Sequence, residues 1–126
     1  MPQIIDVHTD IDLPNNASPV TVSLESVGVG SVAFLMELKL GNSRIKTIED
    51  MGSSDDLGKP YELENAITLR GLSFSCRGVA ASPVPSTIKL HCAFRCGNKV
   101  IKSGIADIEF TAGKTSQVFR FTCPFI

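Results

Sequence analysis

The chain has 126 residues, 43% of them hydrophobic and 20% charged, with a formal net charge of −1. That length is one domain's worth, and the composition argues against a disordered chain. The charge gives no general pull toward nucleic acid or anionic lipid, and the longest uninterrupted apolar run, Val32–Met36, is far too short for membrane insertion.

The opening MPQIIDVHTD carries no basic stretch and meets Asp6 early, so no signal peptide is visible. Ile5, Val7, Ile11 and Leu13 share one parity, with Asp6, His8, Asp10 and Asp12 on the other, the pattern of a half-buried strand. Asp6, Asp10 and Asp12, with Asn15 or Asn16, are candidate oxygen ligands for calcium. Carboxylates spaced by two also make a solvated face that discourages edge pairing. A multi-histidine metal site is excluded, because His8 and His91 are the only histidines. PNNASP then reads as a turn, and its sequon Asn16-Ala17-Ser18 matters only in a glycosylating pathway.

Val20, Val22 and Leu24 alternate with Thr21, Ser23 and Glu25 as a second strand. Beyond it Gly28, Gly30 and Ala33 spell G-x-G-x-x-A, and Glu49 and Asp50 follow about twenty residues on, the outline of a dinucleotide-binding turn. That chemistry needs a helix to start at the glycines, where free N–H groups and the helix dipole hold a pyrophosphate. Residues 31–40 do not fit one, since Glu37 and Lys39 would lie about 200° apart around its axis, one of them against the sheet. On a strand they share a face opposite Val32, Phe34, Met36, Leu38 and Leu40. The pattern therefore predicts a strand over 32–40, joined to 20–26 by a Gly28-Val29-Gly30 hairpin loop with Phe34 opposite Leu24. No cofactor is expected.

Gly41–Asn42 marks the next turn, and DMGSSDDLGKP, residues 50–60, reads as a flexible acidic loop. Around Gly71 the apolar parity switches, from Leu63, Ile67 and Leu69 to Leu72, Phe74 and Cys76, which fits a β-bulge. Residues 77–87 read as a small-residue connection. Ile88, Leu90, Cys92, Phe94 and Cys96 then alternate with Lys89, His91, Ala93 and Arg95, and CGNK forms a turn. Ile108 and Phe110, then Phe119, Phe121 and Cys123 after TAGKTS, complete the series. The fold class is all-β: an antiparallel two-sheet β-sandwich, Ig-like or jelly-roll-like, of about 7–10 strands, with residues 1–126 as one domain.

Cys76, Cys92, Cys96 and Cys123 all fall on core parity. On one strand the α-carbons of Cys92 and Cys96 are about 13 Å apart, beyond the roughly 7 Å a disulfide tolerates. Two pairings remain, 76–92 with 96–123 or 76–96 with 92–123, alongside four buried free thiols. Disulfides would place the protein outside the cytoplasm and free thiols within it. The spacing does not suit a four-cysteine zinc site.

Lys89, His91 and Arg95, with Lys99 and Lys102 beyond the turn, form the basic cluster and the candidate surface for an acidic partner. Without interleaved aromatics it does not suit single-stranded nucleic acid. Residues 1–63 hold ten Asp/Glu against four Lys/Arg, and residues 64–126 three against eight. Either the halves lie side by side and neutralise each other, or they make a dipolar surface that guides docking. No G-x-S-x-G, Walker loop or H-E-x-x-H is present, so no enzyme is expected. The leading expectation is a non-catalytic interaction or assembly module with a protein partner or another copy of itself: a structural subunit, adhesin-like unit, inhibitor or immunity-type protein. A small-ligand or calcium-binding sandwich is the alternative, and a nucleotide-binding or other enzyme domain the third.

Overall fold

Alternation of apolar and polar side chains builds the sheets. The computed structural model describes residues 4–27, 30–81, 86–97, 99–112 and 116–126, with the backbone alone for 86–87 and 102–112. The described strands are β1 (Ile4–His8), β2 (Pro19–Val27), β3 (Ser31–Leu40), β4 (Ser43–Gly52), β5 (Tyr61–Asn65), β6 (Ser73–Ala81), β7 (Ser86–Cys96), β8 (Lys99–Ala112) and β9 (Ser116–Pro124). A short helix, α1 (Ala66–Leu69), separates β5 from β6. One sheet has the order β1-β9-β6-β3-β4 and the other β5-β2-β7-β8, an all-β two-sheet sandwich. Among the described residues no helix is long and apolar enough to cross a membrane.

The apolar faces of the sheets meet in one core. Phe34 and Met36 of β3, Phe74 of β6 and Phe119 and Phe121 of β9 pack with Leu24 of β2 and Leu90 and Phe94 of β7. Each such side chain stabilises the fold by about 1.5–3 kcal/mol through removal from water. Phe74 and Phe94 touch across the sheets edge to face, ring centres 5.3 Å apart, and Phe94 meets Phe125 in the same way at 5.7 Å. The predicted turns after β3 and β7 are two-residue loops whose first residues, Gly41 (φ +63°) and Gly97 (φ +64°), take the left-handed conformation that favours glycine.

Residues 31–40 form the predicted strand, which removes the helix a nucleotide-binding turn requires. The expected hairpin with β2 is corrected, however. β2 and β3 belong to different sheets, so Leu24 stands opposite Cys92 and Phe34 opposite Gly78 and Gly52. An arch between sheets and a hairpin within one both deliver the apolar parity to the interior, so alternation alone does not separate them. Gly28 and Val29 lie outside the described residues. Gly30 serves close packing, because a Cβ there would press on the Ala81 carbonyl and the Ile88 side chain.

Three further corrections are local. The parity switch near Gly71 is not a bulge: Asn65 accepts a hydrogen bond from the Thr68 N–H and caps α1, whose Ala66 and Leu69 are buried, and Gly71 (φ +86°) makes the turn into β6. β4 runs on through residues 50–52, and β6 extends to Ala81, into the stretch read as a connection. β1 pairs with β9 in parallel, whereas every other described strand pair is antiparallel.

Candidate functional site

Register brings the predicted basic residues of β7 beside β2 on the outer face of their sheet, with Glu25 opposite His91 and Thr21 opposite Arg95. The Glu25 carboxylate gathers the surrounding groups. Ser23 Oγ donates to its Oε2 at 2.7 Å, His91 Nε2 lies 3.2 Å from Oε1, and both terminal guanidinium nitrogens of Arg95 reach Oε2 at 3.4 Å. Arg95 also donates to Ser23 Oγ at 3.1 Å. The Ser23 hydroxyl is the largest influence holding the Glu25 carboxyl below its ordinary range; burial opposes it, and His91 and Arg95 add to it. Because Ser23 donates to the carboxylate, with the imidazole on its other oxygen, this network is not a serine–histidine nucleophile pair. It locks β2 to β7.

Of the five predicted basic residues, His91 and Arg95 are therefore engaged with Glu25. Lys89 sits toward the opposite end of β7, roughly 20 Å along the strand from Arg95. Lys99 begins β8 opposite Cys96, at the Arg95 end of β7, and Lys102 lies within β8, where only the backbone is described. The acidic candidates are divided as well. Asp6 is paired with Arg120 at 2.6 Å across β1 and β9, Asp10 is exposed, and Asp12 lines a pocket at one end of the sandwich. Among the described residues no three His, Cys, Asp or Glu side chains converge as metal ligands. The acidic first half and basic second half do meet, through Asp6–Arg120 and through Glu25 with His91 and Arg95.

That end pocket, of about 530 Å³, unites residues the sequence kept apart: Asp12, Asn16 and Ser18 before β2, with Cys96 and Lys99 around the β7–β8 turn. Its volume is in the range of small-ligand pockets. Turn composition marks both segments, but nothing in it reveals that they adjoin. Of the four cysteines, Cys76, Cys92 and Cys123 are buried in the core and Cys96 is half-buried at the pocket.

The outer face of the β1-β9-β6-β3-β4 sheet differs in character. One register row runs Ile4, Val118, Val79, Ala33 across four hydrogen-bonded strands, and the next runs Asp6, Arg120, Arg77, Leu35. Ile4 is 55% exposed and Val79 38%. A groove of about 380 Å³ opens at the β3 end of the apolar row, between Ala33, Val79 and Ala81 and the Ser53–Asp55 turn. Ser54 Oγ accepts the Val32 N–H at 2.8 Å and fixes that turn to the strand. Sequence alternation gave no warning of this row, because it assigns apolar residues only to the interior.

Comparison with protein-family models, with curated proteins and with solved structures found no match to this chain.

Proposed function

We propose that the protein is a non-catalytic interaction module that works through protein–protein contacts, with the outer face of the β1-β9-β6-β3-β4 sheet as its contact surface. The observation that supports this reading is the continuous apolar row Ile4–Val118–Val79–Ala33, left open to solvent beside a charged row. Contiguous exposed apolar surface rimmed by polar residues is characteristic of protein interaction sites. The opposite outer face contrasts with it, since Glu25, His91 and Arg95 there are engaged with one another.

Light scattering across concentration and salt, with affinity capture of partners, tests the reading through Val79→Glu. The substitution puts a charge at a partly exposed position outside the core. Association is expected to weaken about fivefold to thirtyfold with the fold intact, the loss of a well-packed contact being worth about 1–2 kcal/mol. Association unchanged by Val79→Glu, or a strictly monomeric protein that captures no partner, would sink the proposal.

A further inference from the structure

Three thiols share the core, and two of them come from opposite sheets. Cys76 lies on β6 and Cys92 on β7, and both are fully buried. Their strands face each other at this level. Phe74, two residues before Cys76, touches Phe94, two residues after Cys92, and both steps lead toward the same end of the sandwich. Cys76 and Cys92 therefore occupy the next layer of the same stack, one from each sheet. Beyond Cys76 the interior positions of β6 are Gly78 and Ala80, small enough for the sheets to draw together. Such approach matters, because disulfide-linked α-carbons lie within about 7 Å whereas packed sheets average about 10 Å.

We infer that Cys76 and Cys92 are a cross-sheet disulfide pair, closed by exchange with a disulfide oxidant of the glutathione class. One cysteine sulfur, as thiolate, attacks the oxidant, forms a mixed disulfide and expels one oxidant thiolate, which takes up a proton. The second cysteine loses its proton, attacks the mixed disulfide at the first cysteine sulfur and expels the other oxidant thiolate. The two cysteines together lose two electrons and two protons, and one oxidant disulfide becomes two thiols.

This pairing keeps Cys76–Cys92 from the connectivities the sequence left open and leaves Cys96 and Cys123 reduced. Cys96 sits in the mouth of the end pocket, while the thiol that acts on Cys123 is Cys76. Burial pushes the Cys92 thiol well up and Cys123 to about 12, so the closed sandwich holds little thiolate. Exchange accordingly belongs to folding, before the sheets close. The inference is independent of the proposed contact surface.

The test is to refold reduced, unfolded protein with a mixture of reduced and oxidised glutathione, alkylate it, and map cross-linked peptides by mass spectrometry. The expected product has lost two hydrogens, links Cys76 to Cys92 and carries alkyl groups on Cys96 and Cys123. It should melt about 5–10 °C above the reduced form, as closure of a short loop predicts. The same linkage is expected in Cys96→Ser/Cys123→Ala and is expected to vanish in Cys92→Ala. Native reduced protein exposed to the same mixture should oxidise at least tenfold more slowly than the refolding chain. Four alkylated cysteines after oxidative refolding, or a linkage between any other pair, overturns the inference.

Discussion

Tyr61 shows how one side chain can report the closure of the sandwich. It stands on β5, the edge of one sheet, and its hydroxyl donates to Glu49 of β4, the edge of the other, at 3.3 Å. Burial first, then the negative charges of Glu49 and Asp56, push the phenol from 10.0 up to about 12. The unfolded chain gives up this proton near pH 10 and the folded one near 12, so between them the folded state holds more protons. Stability from this site is therefore complete below pH 10 and declines as pH rises toward 12. The chain has one tyrosine and no tryptophan, so phenolate absorbance reads Tyr61 directly. A titration midpoint near 12 is expected in the folded protein; a midpoint near 10 would show that the edge contact does not form.

At the scale of elements, β3 and β6 approach so closely that glycine is required. Gly78 lies opposite Phe34 and Phe119, and a Cβ there would run into the Ala33 carbonyl oxygen and the Phe34 backbone. Since backbone rather than a flexible side chain must yield, Gly78→Ala is expected to lower stability by about 1–3 kcal/mol in urea denaturation. An unchanged midpoint would mean the strands separate freely at this point. The sequence reveals the strands themselves, because large apolar residues recur at every second position over Val32–Leu38, Ile88–Phe94 and Phe119–Cys123. Which strands pair is hidden, because β2 satisfies its apolar parity equally as the partner of β3 or of β7. Glu37 lies on the predicted face, where only 4% of it is exposed, between Ser75 and Thr47 in register and under Arg44 at 3.5 Å. Leu40, on core parity, is 59% exposed beside the Gly41–Asn42 turn, where the β3–β4 hairpin ends. Of the candidate site, the charged residues are legible individually, but the Glu25 network and the Ile4–Ala33 row exist only once distant strands are neighbours.

Across the whole molecule, charge and topology work together. The acidic first half and basic second half are interleaved, β1 beside β9 and β2 beside β7, so their fields largely cancel within the sandwich. On the outer β1-β9-β6-β3-β4 face the apolar row stays open to solvent beside the Asp6–Arg120 pair. The parallel pairing of β1 with β9 carries a mechanical consequence. Force applied at residue 4 and at residue 124 drags the two strands past each other lengthwise, so all five register pairs from Ile4–Val118 to His8–Thr122 bear the load together. The antiparallel β3–β4 hairpin, pulled at Ser31 and Gly52, instead peels open pair by pair from one end. In single-molecule stretching the first geometry is expected to need clearly the higher peak force, and equal forces would contradict it. A module held by this clamp would resist tension along its chain while its apolar row stayed displayed on the same sheet.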